Sequence, residues 1–192
     1  MRRRVMSSLL AGLIGGILFL TVVPGADLVQ KKNLDQIKKE CEVFENIVNT
    51  SLRQAIPHPL LLAEKARGTY LADYGLTFSM TLNLSRQMIL FAPRSKQSPE
   101  KAEDLSRQRA HTIVAIRKCL TEVLSQYGSS FRQLPPDDKI SIIAHVLSRS
   151  LYANDNTNQI IILTVTKRDI EQYRRARITR EELKKRITYI EY

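Results

Sequence analysis

Glycine and aromatic residues are scarce in this sequence, and their scarcity narrows the kinds of site it can contain. Tryptophan is absent, and aromatic residues make up 6% of the 192 residues. Beyond Gly25 the chain has only three glycines, Gly68, Gly75 and Gly128. Phosphate-binding loops need several glycines, because their backbone must come close to the anion. The sequence therefore argues against a glycine-rich nucleotide-binding loop.

Histidine is also rare, and no pattern of catalytic or metal-binding residues is present. His58, His111 and His145 each lack a cysteine, a carboxylate or a second histidine at the spacing that metal sites use. No serine lies in a nucleophile elbow, and there is no Walker loop. We therefore predict no catalytic residue, no metal ligand and no cofactor, and we favour a non-catalytic domain. An enzyme whose site is assembled from scattered polar residues is the alternative.

The two cysteines, Cys41 and Cys119, are too few for a disulfide framework. They can form one bridge in an oxidising compartment. Both fall at apolar repeat positions of predicted helices, so two buried free thiols are the alternative.

Positive charge is the main bias of the composition. The net charge is +11, and nine basic residues against four acidic ones fall between Lys167 and Arg186. Arginine binds phosphate and carboxylate groups through paired hydrogen bonds, so this segment is a candidate site for anionic lipid or an acidic partner. The candidate residues are Arg168, Arg174, Arg175, Arg177, Lys184 and Lys185. A solvated helix surface, on which these side chains pair with nearby carboxylates, is the competing interpretation.

The N-terminal residues form a hydrophobic leader. Three arginines precede Val5–Val23, a run of 19 residues without a charge. As a helix rising about 1.5 Å per residue, this run matches the thickness of a bilayer core. We predict that residues 1–26 are a signal peptide or a signal-anchor transmembrane helix, and that residues 27–192 form one domain. Because positive charge stays cytoplasmic, we expect the domain in the periplasm or exterior, anchored in a bacterial inner membrane or secreted after cleavage.

Two long stretches have the spacing of amphipathic helices. The first runs from Asp27 to about Ala55, and the second from Pro99 to Tyr127. Their predicted buried positions are Leu34, Ile37, Cys41, Phe44 and Val48 in the first, and Ile113, Ile116, Leu120, Val123 and Tyr127 in the second. Two shorter helices are predicted to begin after Thr166 and after Thr179, the latter through a capping box with Glu182.

Alternation of apolar and polar residues predicts the strands. The clearest are Leu76–Leu84, Lys139–Arg149 and Asn158–Thr166, with Thr69–Ala72 and Ile187–Glu191 as shorter candidates. The apolar run Ile160–Leu163 indicates a central strand buried on both faces. The expected fold is an α+β domain. An antiparallel sheet of about four strands has two long helices packed on one face, and the N-terminal hydrophobic helix precedes it.

One segment carries a resemblance. The sequence from Gly68 to Phe78, GTYLADYGLTF, is followed by a long helix, a hairpin and a helix with Asp169, Tyr173 and Arg174. Over about residues 50–192 this order resembles bacterial exported or membrane-anchored proteins that have no assigned activity. The resemblance implies a secretory bacterial context and supplies no site residue.

These features favour a domain that binds another protein, or a second copy of itself, through a sheet edge or the basic C-terminal helices. The membrane is the expected partner of the leader. Nucleic acid is not an expected partner outside the cytoplasm. Binding of anionic lipid or an acidic partner through the basic helices is the alternative to protein binding at a sheet edge.

Overall fold

The computed structural model describes residues 25–56, 61–84, 99–147 and 158–192. Residues 1–24 of the predicted leader lie outside these ranges, as does His58. Among the residues that are described, no helix is both long enough and apolar enough to cross a membrane.

The described residues form four α-helices and five strands, which is an α+β domain. In chain order the elements are α1 (Gly25–Ala55), β1 (Leu61–Leu71), β2 (Gly75–Asn83), α2 (Pro99–Tyr127), a 3-10 turn (Gly128–Ser130), β3 (Lys139–Leu147), β4 (Gln159–Thr166), α3 (Lys167–Arg174), α4 (Arg180–Arg186) and β5 (Thr188–Glu191). Thr166 caps α3 and Thr179 caps α4, the second through the predicted capping box with Glu182. Both hydroxyls accept a hydrogen bond from a backbone N–H that the helix leaves unpaired.

The sheet has five strands in the order β1-β2-β3-β4-β5, close to the predicted number of about four. It is mixed, so the prediction of an antiparallel sheet is wrong. Strands β2 and β3 are parallel, and every other neighbouring pair is antiparallel. The reason lies in α2, which connects β2 to β3. A long helix returns the chain to the starting end of the sheet, so the next strand runs in the same direction as the last.

One face of the sheet carries the core, and both long helices pack on it. Buried side chains of α1 and α2 join those of the sheet in a single cluster. At its centre the ring centroid of Phe44 lies 4.6 Å from that of Phe78 and 5.1 Å from that of Phe131. These tilted ring pairs connect α1, β2 and the segment after α2, and add to the stability that burial of their area provides.

Not every predicted position of the two helix stripes is buried. Ile37, Cys41, Phe44 and Val48 are buried in α1, whereas Leu34 is exposed. Ile116, Leu120 and Val123 are buried in α2, whereas Ile113 is half-buried and Tyr127 is exposed. Strand β4 is not buried on both faces, since only alternate residues such as Ile161 and Leu163 are fully buried. Ile160 and Ile162 face the opposite side of the sheet and are half-buried. A run of branched apolar residues therefore did not indicate a two-sided position here.

Strand β1 begins at Leu61, well before the predicted start near Gly68. Its first half lacks alternation because its pairing with β2 is irregular on both sides of Glu64. The chain turns between β1 and β2, with Asp73 and Gly75 at positive φ. A Cβ on Gly75 would lie 2.2 Å from the backbone oxygen of Lys139, so this position requires glycine.

Candidate functional site

The predicted basic segment Lys167–Arg186 forms α3, α4 and the loop between them, and most of its charge is neutralised. Arg168 pairs with Asp137 at 2.6 Å, and Lys184 pairs with Glu181 at 2.9 Å. Arg175, Arg180, Arg186 and the buried Lys167 also have carboxylate partners. Of the six predicted anion-binding residues, only Arg174, Arg177 and Lys185 are in none of the ion pairs recorded in the described ranges. The competing interpretation, a solvated helix surface, accounts for much of this segment.

Lys167 belongs to the interior of the domain. Its side chain is nearly inaccessible, and its Nζ donates to the backbone oxygen of Ser129 at 3.1 Å and pairs with Glu171 at 3.4 Å. Burial lowers the pKa of Lys167, and the nearby Glu171 carboxylate opposes that shift. The residue links the start of α3 to the turn after α2, which is a structural role.

A basic pocket lies between α2, α4 and the start of β5. Its volume is about 350 Å³, and it is lined by Arg117, Lys118, Thr121, Glu122, Arg180, Lys184, Ile187 and Tyr189. The guanidinium of Arg117 lies 5.1 Å from the centre of the Tyr189 ring, a cation–π contact. Arg180 forms an ion pair with Glu122. Arg117 and Lys118 form no ion pair within the described residues, so these two side chains make the pocket basic.

Lys184 was predicted as an anion-binding residue, whereas Arg117 and Lys118, which also line this pocket, were not. Positions 117, 118, 121 and 122 are polar and have i, i+4 spacing, so they share one face of α2. That spacing identifies an outward face. It does not indicate that α4, about sixty residues later in the chain, faces the same space.

The β1 edge of the sheet is closed by α1. The Asn49 side chain accepts a hydrogen bond from the backbone N–H of Ala66 at 2.9 Å, and the Glu45 carboxylate accepts one from Gly68 at 2.7 Å. Helix α1 and the Phe78 ring pack against Gly68, where a side chain would otherwise lie. A Cβ there would lie 2.5 Å from the Phe78 ring and 3.2 Å from the Cβ of Cys41. Two backbone donors of this edge strand, those of Ala66 and Gly68, are therefore occupied by side chains of α1.

The opposite edge is β5, and the backbone groups of its alternate residues point outward. Ile160 and Tyr192 exchange two backbone hydrogen bonds, at 2.7 and 3.2 Å. Bonded and non-bonded pairs alternate along an antiparallel ladder, so Ile190, which lies opposite Ile162, is also in a bonded pair. The backbone N–H and C=O groups of Tyr189 and Glu191 therefore point away from β4. Beside them Ile190 is 48% exposed and Tyr192 is 69% exposed.

The face of the sheet opposite the helices carries an apolar strip that ends at β5. Ile143, Ile162 and Ile190 are consecutive cross-strand neighbours on β3, β4 and β5. The first two are half-buried and the third is exposed. This strip and the outward backbone of β5, with the side chains of Thr188–Tyr192, are called the β5 surface below.

Cys41 and Cys119 are free thiols, and both are buried. Burial raises the pKa of Cys41 to about 12, with Glu45, Glu40 and Glu42 adding to the shift. Burial also raises the pKa of Cys119. Neither thiol is therefore primed as a nucleophile, because the reactive form is the thiolate.

Metal-binding residues do not come together in the described ranges, where no group of three histidine, cysteine or carboxylate side chains could hold an ion. His111 is exposed on α2, and His145 is half-buried on the sheet face away from the helices.

Comparison with protein-family models, with curated proteins and with solved structures finds no match for this chain. The resemblance to exported bacterial proteins and the placement of the domain outside the cytoplasm remain predictions from the sequence.

Proposed function

We propose that this chain is a non-catalytic, membrane-anchored or exported domain that binds a protein partner by strand addition at the β5 surface. One observation carries the proposal. Two α1 side chains accept hydrogen bonds from the backbone of β1, whereas the outward backbone groups of β5 lie beside the exposed Ile190 and Tyr192.

Strand addition needs two things that β5 offers. The first is a set of backbone donors and acceptors that point outward, here at Tyr189 and Glu191, because main-chain hydrogen bonds supply affinity. The second is exposed side chains that can be covered by the incoming strand, here Ile190 and Tyr192. An unprotected apolar edge strand is a liability in solution unless a partner covers it.

The membrane or secretory part of the proposal is supported by the sequence of the leader. Val5–Val23 follows three arginines and has no charged residue. Fractionation of cells, followed by N-terminal sequencing of the protein, tests it. We expect a membrane-bound chain, or a secreted chain that begins near residue 27. Recovery of the full-length chain from the soluble cytosol would contradict it.

Photo-crosslinking in the full-length protein tests the strand-addition proposal. A photoreactive phenylalanine analogue replaces Ile190 in one variant and Leu71 in a matched control. Leu71 is the last residue of β1 and is 46% exposed, close to the 48% of Ile190. We expect one discrete crosslinked protein with the Ile190 variant and none with the Leu71 variant. Equal crosslinking at both positions, or none at Ile190, would contradict the proposal.

A further inference from the structure

The register of β5 limits how a second strand can add to it. Its outward backbone groups belong to Tyr189 and Glu191, so these two residues must form the bonded pairs with an incoming antiparallel strand. If that strand is β5 of a second copy, Tyr189 can bond either to Glu191 or to Tyr189 of the second copy. The first arrangement places Ile190 of each copy directly opposite the other, in a non-bonded pair.

The Ile190-centred register covers the exposed isoleucine. Side chains of a non-bonded antiparallel pair are the closest of any cross-strand neighbours. Ile190 would therefore pack on its own symmetry mate, and the strip formed by Ile143, Ile162 and Ile190 would continue across both copies. The alternative register offsets the two Ile190 side chains by two residues and leaves them apart.

Charge favours the same register. Tyr189 and Glu191 face the helices, as their β4 partners Leu163 and Ile161 do. Glu191 of the second copy would lie opposite Tyr189, whose ring is 5.1 Å from the Arg117 guanidinium. One oxygen of Glu191 accepts a hydrogen bond from Gln159 of its own chain, and its other oxygen has no bond in the described residues. A carboxylate would thereby reach the pocket that Arg117 and Lys118 make basic.

We infer that the strand added at the β5 surface is β5 of a second copy, in the register that pairs Ile190 with Ile190. The two sheets then form one continuous sheet around a two-fold axis, and each copy supplies Glu191 to the basic pocket of the other. This inference rests on the proposed function and names its partner. An interface of this kind is isologous, which is the commonest arrangement of homodimers.

Disulfide trapping in the full-length protein tests the register. Facing residues of a non-bonded pair are within reach of a disulfide, which needs Cα atoms about 4.4–6.8 Å apart. Under mild oxidation we expect Ile190→Cys to give a covalent dimer that a reductant reverses. Two controls should stay monomeric: Leu71→Cys on the other edge, and Thr188→Cys, whose symmetry mate is offset by four residues. Cys41 and Cys119 can stay in place because both are buried.

A charge exchange tests the contact between Glu191 and the pocket. By sedimentation in detergent solution, Arg117→Glu and Glu191→Arg should each weaken self-association about tenfold, because each replaces an attraction by a repulsion. The double variant should restore it to within about threefold, which separates a direct contact from independent damage. Arg117 and Glu191 are both exposed, so the fold should tolerate these substitutions.

The outcomes separate this inference from the proposed function. A chain that stays monomeric at about 0.5 mM overturns the second copy as the occupant. If the photoreactive Ile190 variant then crosslinks a different protein, strand addition stands with another partner. If it crosslinks nothing, both are overturned. A chain that dimerises but is not trapped through Ile190→Cys, or that is trapped through Thr188→Cys instead, overturns the register.

Discussion

The two edge strands of the sheet, β1 and β5, differ in how far their backbone groups are bonded within the chain. Strand β1 has α1 beside it, with Asn49 and Glu45 bonded to its backbone, whereas β5 has exposed side chains and outward backbone groups. Both strands lie at an edge and both have mostly exposed side chains where these are described, so exposure of the side chains does not explain the difference. The difference comes from the helices, because α1 reaches past the core to the β1 edge and the short α4 leaves β5 uncovered. A protected edge and an open edge in one sheet indicate where a partner can add.

The largest expected effect concerns the thiol beneath the closed edge. Burial raises the pKa of Cys41 to about 12, so at pH 8 its thiolate fraction is on the order of a thousandfold below that of a free cysteine. We expect alkylation of Cys41 in the folded protein to be slower than in denaturant by at least that factor, and to accelerate as the pH rises. Mass spectrometry of the labelled peptide measures this rate.

Cys119 on α2 is the internal control, because it is also buried but does not lie under the β1 edge. Any variant that loosens α1 from β1 should speed the labelling of Cys41 more than that of Cys119. Labelling of native Cys41 at the rate of the unfolded chain would show that the edge is not closed.

The next effect is on stability. Phe44→Ala removes the ring that joins α1 to Phe78 and Phe131, and leaves a cavity at the centre of the core. We expect the free energy of unfolding to fall by about 3–5 kcal/mol. Urea denaturation measures it, with Val43→Ala as the control, since the neighbouring Val43 is exposed. Equal losses in the two variants would mean that α1 does not pack as described.

A smaller loss is expected where Asn49 closes the β1 edge. Asn49→Ala leaves the buried N–H of Ala66 without its acceptor, which costs about 1–3 kcal/mol. It should also increase association through β1, since an unpaired edge is a template for pairing. Asn46→Ala, at an exposed position of the same helix, should change stability by less than about 0.5 kcal/mol. If both variants unfold at the same urea concentration, the Asn49 contact is not stabilising.

The smallest effect on stability is expected at the open edge. Ile190→Lys should change the free energy of unfolding by less than about 0.5 kcal/mol, because Ile190 is already exposed. It should nevertheless abolish the crosslinking and self-association assigned to β5, since lysine on an edge strand opposes pairing. Leu71→Lys should leave association unchanged. Loss of association in both variants would remove the distinction between the two edges.

Much of the local structure could be predicted from the sequence, because it depends on neighbouring residues. The α2 start at Pro99 and the caps at Thr166 and Thr179 were correct. So was the alternation from Leu76 to Leu84, whose apolar members are all buried. These features follow from i, i+3 and i, i+2 relations that a single segment contains.

The candidate site was predicted only in part, because it joins distant segments. Lys184 was found from local charge, but its pocket also needs Arg117 and Lys118 on α2 and Tyr189 on β5. The ion pairs of the basic segment could not all be predicted either, because Arg168 pairs with Asp137 and Arg180 pairs with Glu122, which lie outside the segment. A local sequence pattern does not predict which distant carboxylate will form an ion pair with a given basic side chain.

The sequence by itself determined the helices, most strands, most of the buried positions and the α+β class, because these depend on the spacing of apolar residues and on caps within each segment. Only the tertiary structure decided that β2 and β3 are parallel, that Asn49 and Glu45 close one edge, and that β5 is left open. Strand order and edge exposure depend on contacts between residues far apart in the chain. The free energy of those contacts appears only once the core has brought the segments together.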